Sequence, residues 1–214
     1  MKISLNWIKE FVDIPKTYSP RQLAELLTIR TCEVEEYEDQ YIKYATMTVG
    51  KIISIRPHPN ADKLKLVDTN IGGRAVQIVC GGQNLSVGML VAVALPGALV
   101  KWHGEGDLIE LKETKIRGEH SHGMICAEEE INLPSLTPPQ GVTIANLAYH
   151  IDEANAAKMK VGMPLAEALG LNDVILEIDN KSLTHRPDLW GHIGMAREFA
   201  AFLNKKLKTP SIKI

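Results

Sequence analysis

The stretch His58–Lys63 places a cation beside residues that form turns. Asn60 and Asp62 can hydrogen-bond to nearby backbone groups, and Pro59 fixes a bend, so this stretch has a structural interpretation as a turn. Lys63 follows the turn and can meet a phosphate group. For Asn60 and Asp62 the structural interpretation is favoured, whereas for Lys63 both interpretations stay open.

The pair Gly81-Gly82 invites comparison with a phosphate-binding loop. No Lys-Ser/Thr pair follows it and no helix start does either, so the pattern of a nucleotide-binding P-loop is incomplete. A tight loop between two strands is the better interpretation. Gly118 and Gly123 are interpreted in the same way, as residues of turns or bulges.

Several histidines and cysteines raise the question of a metal site or a nucleophile. His120 and His122 alternate as on a strand, but no Cys-x-x-Cys pair accompanies them, and cysteines in apolar strands are usually buried thiols. Cys126 has His122 nearby in sequence, without a recognisable acid partner or oxyanion motif. We therefore predict neither a metal site nor catalytic residues.

Composition argues against a strongly basic nucleic-acid clamp. The 214 residues include 24 Lys and Arg against 26 Asp and Glu, which gives a net charge of −2. Affinity for phosphates grows with the number of charges neutralised, so any RNA contact must come from a few placed cations. Three cysteines without close pairing are typical of a reduced, cytoplasmic protein. No leader and no apolar run of membrane-spanning length is found, which predicts a protein without membrane contact.

The sequence predicts a helical part followed by a β-rich part, and most of the residues discussed above lie in the β-rich part. Up to about residue 39 the chain is predicted to be helical with one edge strand at 32–37, and Ser19-Pro20-Arg21-Gln22 is typical of a helix start. From residue 40 onward, short β-rich segments separated by turn residues predict a small antiparallel barrel or sandwich, followed by a proline-rich loop at 135–141. The predicted strands are 46–56, 64–71, 75–80, 89–95, 109–112 and 123–126.

The last part of the chain returns to a strand and a helix. A strand is predicted at 174–179 and a helix at about 189–203, with Asp188 as its N-cap and a lysine-rich tail after it. Arg186 and Glu198 are interpreted as a structural ion pair or as solvated charges. The rigid corner His185–Asp188 can hold two segments together or touch an RNA backbone, and the first role is favoured.

Four stretches of the β-rich part resemble the family of tRNA-binding OB domains. They match it in order and spacing over some 80 residues, and such domains also occur as free-standing proteins and as appendages of other synthetases. The matching stretches are 58–64 (HPNADKL), 78–84 (IVCGGQN), 95–98 (LPGA) and 115–126 (KIRGEHSHGMIC).

A second set of segments resembles bacterial phenylalanine–tRNA ligase beta subunits. Residues 1–8 (MKISLNWI), 26–36 and 180–198 are similar to the domain that brackets the OB insert in that family. The resemblance implies an α+β fold in which a β-barrel OB domain, 40–151, is inserted in a discontinuous domain, 1–39 plus 152–203. Residues 204–214 would then begin a linker to a missing editing domain.

The resemblance also implies a function and partners. The full enzyme attaches phenylalanine to its tRNA using ATP and magnesium, and is a heterotetramer of two alpha and two beta subunits. Its aminoacylation site lies on the alpha subunit, and its editing site lies beyond the segment present here. This chain is therefore expected to be a non-catalytic, tRNA-binding part without a cofactor of its own.

An OB domain binds RNA on one face, where cations meet phosphates and loops hold bases or sugars. Lys63 and Arg117 are placed beside turns at strand ends, Ser121 and Asn84 can hydrogen-bond to phosphate or 2′-hydroxyl oxygens, and Met124 can lie under a base. The predicted tRNA-binding residues are Asn60, Lys63, Asn84, Arg117, Ser121 and Met124.

Two alternatives remain open at this point. The chain can be a free-standing tRNA-binding or chaperone-like OB protein, although such a protein would not need residues 1–39 and 173–203. The OB domain can also serve protein docking, an alternative that its charge supports, with nine cations against ten acids between Thr46 and Glu130.

Overall fold

The computed structural model of the chain describes residues 1–133 and 159–208. The chain divides into two compact units, the first built from Met1–Ile42 with Asn172–Ile214 and the second from Lys43–Leu171. The proline-rich loop predicted at 135–141 and the end of the predicted tail lie outside the described residues.

The first unit is a three-stranded antiparallel sheet packed against helices. Strand β12 (Val174–Ile178) from the later segment pairs on one side with β1 (Lys2–Ser4) and on the other with β2 (Val34–Asp39), so both segments contribute to one sheet. In the register, Ile3 faces Leu176, and both side chains are buried. The elements of this unit are β1 (Lys2–Ser4), α1 (Leu5–Phe11), α2 (Pro20–Arg30), β2 (Val34–Asp39), β12 (Val174–Ile178) and α5 (His192–Phe202).

Helix α2 begins where the sequence predicts it. The Ser19 hydroxyl accepts a hydrogen bond from the Gln22 backbone N–H at 3.3 Å, and the Gln22 side chain accepts from the Ser19 N–H at 2.9 Å. These two bonds satisfy N–H groups that the first helical turn leaves free. Leu23, Ala24 and Leu27 form the buried face of the helix.

Helix α5 begins later than the sequence predicts, and the prediction of Asp188 as its N-cap is wrong. Gly191 is the N-cap, and Pro187–Leu189 forms a separate 3₁₀ turn. Asp188 instead accepts two hydrogen bonds from the Arg186 guanidinium, from Nε and Nη2, each at 2.9 Å. This bidentate bonding to Arg186 lowers the pKa of the Asp188 carboxyl.

Arg186 also holds α5 to its surroundings. Its Nη2 donates to Glu198 on α5 at 3.0 Å, and the Glu198 carboxylate accepts from the Thr31 hydroxyl at the end of α2 at 2.9 Å. Of the two interpretations of Arg186 and Glu198, a structural ion pair or solvated charges, the structure shows the ion pair. Within the corner His185–Asp188, Arg186 joins the 3₁₀ turn to α5, which is the role of holding two segments together.

The second unit is built on a five-stranded antiparallel sheet, whose strands in spatial order are β11 (Met124–Ile125), β6 (Leu90–Ala94), β3 (Met47–His58), β4 (Ala61–Asn70) and β5 (Ala75–Cys80). Gly72 and Gly73, both with positive φ, form the turn between β4 and β5 predicted from the Gly-Gly pair. Two short hairpins, β7–β8 and β9–β10, accompany the sheet. The strands are β3 (Met47–His58), β4 (Ala61–Asn70), β5 (Ala75–Cys80), β6 (Leu90–Ala94), β7 (Leu99–Lys101), β8 (Leu108–Glu110), β9 (Thr114–Ile116), β10 (Glu119–Ser121) and β11 (Met124–Ile125).

The five strands form an open ladder among the described residues, and a separate set of bonds joins β5 to the chain at the end of β10. The His122 N–H donates to the Gln77 carbonyl at 3.0 Å, and the Gln77 side-chain amide donates to the His120 carbonyl at 2.9 Å. The fold established here is an antiparallel sheet with small hairpins.

Residues 159–171 pack with the second unit. The Val49 N–H donates to the Met163 carbonyl at 3.0 Å, and the Gly162 N–H donates to the Val49 carbonyl at 2.8 Å. Leu165 in the short helix α4 (Leu165–Ala168) is fully buried in an apolar cluster of this unit. The short helix α3 (Gln40–Lys43) lies where the two units join in sequence. The domain limits 40–151 and 152–203 stay predictions.

Cys32, Cys80 and Cys126 are free and buried, as the sequence predicts. Burial raises the pKa of all three thiols, that of Cys32 to about 11. They are therefore protonated and poorly nucleophilic near neutral pH. Within the residues placed by the structure, no helix is long and apolar enough to cross a membrane.

Candidate nucleic-acid interface

A buried histidine connects two turns that carry predicted RNA-binding residues. His58 is 5% exposed; its Nε2 bonds to the Ile116 carbonyl at 3.0 Å, and its Nδ1 accepts from the Asn60 N–H at 3.0 Å. A carbonyl accepts only from a protonated nitrogen, so the neutral tautomer with the proton on Nε2 satisfies both bonds. The β3–β4 turn is thereby held against the β9–β10 hairpin.

Asn60 and Arg117 meet at this junction. The Asn60 side-chain amide donates to the Arg117 carbonyl at 3.1 Å, so Asn60 has a structural contact whatever else it binds. Arg117 and Gly118 form the β9–β10 turn with φ of 49° and 98°. The left-handed region is uncommon for an arginine, and this two-residue turn leaves the Arg117 guanidinium exposed.

Lys63 is exposed on β4, three residues after Asn60. Among the residues that the structure describes, neither Lys63 nor Arg117 has an ion-pair partner. Both cations are therefore available to phosphates. Asp62, next to Lys63 in sequence, is exposed as well, and its carboxylate lowers the positive electrostatic potential around Lys63.

Ser121 is the predicted site residue that lies deepest. It is 3% exposed, and its hydroxyl accepts from the Val79 N–H at 3.1 Å and donates to the Gly123 carbonyl at 2.9 Å. These bonds connect β5 to the segment between β10 and β11. The Ser121 hydroxyl therefore has a structural role, because both of its hydrogen bonds are made within the unit.

Met124 is half-buried and lines a groove of about 360 Å³ on the second unit. Gly81, Gly82 and Ser121 also border this groove. The groove walls are mainly aliphatic, with one indole. The apolar side chains that form them are Leu64, Val79, Cys80, Trp102, Leu111, Ile116, Met124 and Ile125.

Asn84 lies on the loop between β5 and β6 and is exposed. No helix occurs between β5 and β6, in agreement with the interpretation of Gly81-Gly82 as a tight loop rather than a P-loop. The six predicted residues thus fall into three places: the junction of Asn60, Lys63 and Arg117, the groove with Ser121 and Met124, and the loop of Asn84.

Of the residues that line the groove, the sequence predicted only Ser121 and Met124 as site residues, and His103 and Glu130 are among those it missed. Glu130 is 7% exposed, and its Oε2 accepts from the Ala127 N–H at 2.6 Å. Burial raises the pKa of the Glu130 carboxyl above its usual value. In the sequence it is the last of three consecutive glutamates, of which Glu128 is buried as well, and nothing in that run marks which side chains are turned inward.

His120 and His122 stack with ring centroids 6.0 Å apart, and His122 Nδ1 lies 3.3 Å from the Glu113 carboxylate. Over the described parts of the chain, no group of three or more His, Cys, Asp or Glu side chains is arranged to hold a metal ion.

Comparison with known families defines the class of the second unit first. Residues 47–146 match the family model described as a putative tRNA binding domain. This match includes the sheet, the junction of the two turns and the groove.

Comparison with curated proteins then covers nearly the whole chain. It is 41% identical over 94% of its length to the phenylalanine–tRNA ligase beta subunit of Chlorobaculum tepidum. The beta subunits of Prochlorococcus marinus and Leptospira interrogans are 39% and 37% identical over 100% and 95% of the chain. The resemblance to this group of beta subunits is confirmed. The chain spans about a quarter of these relatives' length, 23% to 24%.

Proposed function

We propose that this chain is the tRNA-binding, non-catalytic portion of a phenylalanine–tRNA ligase beta subunit. The observation that carries the proposal is the combination of a tRNA-binding domain match at 47–146 with 41% identity to a beta subunit over 94% of the chain. The match outside the domain, in residues 1–46 and 147 onward, favours a beta subunit over a free-standing tRNA-binding protein.

The second unit supports an OB-type barrel within this proposal. The unit has five antiparallel strands in the order β11-β6-β3-β4-β5. Hydrogen bonds between Gln77 on β5 and the His120–His122 segment connect one edge strand to the chain that leads into β11, the other edge strand. An OB fold is a partly open five-stranded barrel of this kind, and it binds nucleic acid on one face with its loops. In our proposal this barrel is inserted between the two segments of the first unit.

The whole enzyme, in this proposal, works in the cytoplasm, joins phenylalanine to its tRNA with ATP and magnesium, and pairs two beta with two alpha subunits. The described residues offer no fit for the cofactors: the Gly81-Gly82 loop leads into no helix, and none of their acidic, histidine or cysteine clusters is arranged for a metal. We therefore assign that chemistry to other parts of the enzyme, and the chain alone should show no ATP–pyrophosphate exchange.

The RNA contact in this proposal is a small cationic rim at the junction of the two turns. Lys63 and Arg117 are exposed there, and the His58 and Asn60 bonds hold the backbone beneath them in place. A few ordered cations on a rigid support can position an RNA backbone even when the domain carries no net positive charge.

The double variant Lys63→Ala/Arg117→Ala tests this rim. Losing two phosphate contacts should weaken the association of tRNA with the chain by about tenfold or more, and should reduce the slope of log K against log salt by about 1.5 to 2. Filter binding with tRNA over a salt series measures both quantities.

The matched control is Lys51→Ala/Arg74→Ala, which removes the same charge. Lys51 pairs in the sheet with Asn70, and Arg74 follows the turn after Asn70, so both lie at the opposite end of the β4 strand from Lys63. Affinity should change by less than about twofold in this control. Equal losses in the two double variants would show that only net charge matters and would contradict the rim.

A further inference from the structure

We propose that the groove beside Met124 receives one unstacked nucleobase of the bound RNA, with the amino-bearing edge of the base directed at Glu130. This inference rests on the proposed tRNA-binding function and adds the chemical group that the second unit recognises. It predicts that adenine and cytosine bases enter the groove better than uracil.

The size of the groove suits a single nucleoside. Its volume of about 360 Å³ lies at the low end of the range for small-molecule sites, roughly 300 to 1,000 Å³. A duplex cannot enter a space of this size, whereas a base turned out of a loop or strand end can. Proteins that recognise RNA sequence commonly select such splayed bases.

The walls present the surface that a flat base needs. Trp102 is 52% exposed and lines the groove, so in this proposal part of its indole is available for stacking. Leu64 and Leu111 supply aliphatic walls, and the Met124 thioether is a polarisable contact for a ring.

The polar group in the groove has a defined position. The Glu130 carboxylate is fixed by the bond from the Ala127 N–H to Oε2, in a 3₁₀ turn at Glu129–Ile131. A carboxylate accepts hydrogen bonds from exocyclic amino groups, as glutamate does from the amino group of cytosine. In uracil a carbonyl oxygen replaces this amino group, and the remaining N3–H donor lies between two carbonyl oxygens that repel a carboxylate, which gives the selectivity.

The surroundings fix the groove and place cations at its border. The Ser121 hydroxyl holds Val79 to the β10–β11 segment, so two sides of the groove are tied together. Lys112 borders the groove, and the Lys65 ammonium donates to the Gly82 carbonyl at 3.3 Å. These cations lie where the phosphates flanking an inserted base would pass.

Gly81 offers a direct way to fill the groove. A Cβ at this residue would lie 3.6 Å from Leu64 Cδ2, an ordinary contact, and the residue does not need the left-handed conformation. Gly81→Leu should therefore fold normally while its side chain occupies the space of the base. Ser86→Leu, in the same exposed loop but outside the groove lining, is the matched control.

Trp102 supplies the signal once the other two tryptophans, Trp7 and Trp190, are replaced by phenylalanine. The whole chain is titrated with single-stranded tetra-adenylate, tetracytidylate, tetrauridylate and an abasic tetramer, and circular dichroism checks that each variant folds. The dissociation constants obtained from quenching of Trp102 fluorescence should be at least fivefold lower for tetra-adenylate and tetracytidylate than for tetrauridylate. The abasic tetramer should not quench Trp102. Gly81→Leu should weaken quenching by tetra-adenylate at least tenfold, and Ser86→Leu by less than twofold.

Glu130→Met removes both acceptor oxygens from the groove and tests the selectivity, whereas glutamine would keep an oxygen that accepts from the adenine amino group. Glu130→Met should reduce the preference for tetra-adenylate over tetrauridylate to below twofold. Equal quenching by the abasic tetramer, tetra-adenylate affinity unchanged in Gly81→Leu, or an unchanged preference in Glu130→Met would overturn the inference. Filter binding of tRNA by the unmodified chain distinguishes failure of the base-binding inference from failure of the proposed function. If tRNA binds but no base enters the groove, only the base-binding inference is refuted. If tRNA does not bind, the proposed function is refuted.

Discussion

Replacing Gly194 by alanine is expected to lower the free energy of unfolding of the first unit by about 3 kcal/mol or more. Gly194 lies on α5 where the helix packs on the 3₁₀ turn before it. A Cβ at Gly194 would lie 1.7 Å from the Asp188 carbonyl oxygen and 3.1 Å from Leu189 Cα. Both are backbone atoms, so the added methyl group can be accommodated only if the helix moves away from the turn.

Such a movement would also separate Arg186 from Glu198, because that ion pair spans the turn and α5. Urea unfolding followed by circular dichroism measures the loss. Gly191→Ala is the matched control, since a Cβ there meets no atom within 4 Å and its φ of −168° is extended. We expect that control to cost less than about 1 kcal/mol, and equal costs for the two variants would contradict the packing described for α5.

Gly50→Ala is expected to destabilise the second unit by about 2 to 3 kcal/mol. Gly50 lies on β3, and a Cβ would lie 2.5 Å from Val93 Cγ2 and 2.7 Å from Thr69 Cγ2. Val93 and Thr69 are fully buried and β-branched, so their side chains have little freedom to rotate away. The same measurement, thermal or urea unfolding of the whole chain, reports this loss.

A double-mutant cycle with Val93→Ala shows whether the cause is steric. Val93→Ala alone leaves a cavity and should cost about 2 kcal/mol, but it also removes the methyl group nearest to the added one. The double variant should therefore be more stable than the sum of the single losses by about 1 kcal/mol or more. Gly81→Ala, where the nearest atom is 3.6 Å from the Cβ, should be close to neutral, and strict additivity would show that crowding at Gly50 is not the reason.

Local chemistry in the sequence predicts several elements well. Ser19-Pro20-Arg21-Gln22 predicts the start of α2 because each residue satisfies or omits a specific backbone N–H of the first turn. Gly72-Gly73 predicts a hairpin because its turn needs positive φ at both residues. β-Branched residues predict β3, the Gly-Gly turn marks the end of β4, and apolar alternation predicts β6, although the register between strands depends on partners distant in sequence.

The features that sequence reasoning missed depend on tertiary contacts. Asp188 has a side chain suited to an N-cap. In the structure, however, Gly194 packs closely against the Asp188 carbonyl and α5 begins only at His192. The Asp188 carboxylate therefore bonds to Arg186 instead of capping the helix. Glu128 and Glu130 are buried and Glu129 between them is exposed, a difference that depends on the packing of their turn and not on the residue type. Ser121 was selected as an RNA ligand from its hydroxyl, which in the structure bonds within the unit.

The tRNA-binding role is tested most directly by titrating tRNA against the whole chain at two salt concentrations, about 50 and 200 mM, with association constants measured by filter binding. A surface where Lys63, Arg117 and their neighbours meet phosphates must release counterions on binding. We predict measurable binding at the lower concentration and a fall in affinity of about tenfold or more at the higher one. No binding at about 50 mM salt, or an affinity that salt leaves unchanged, would contradict the tRNA-binding role proposed for this chain.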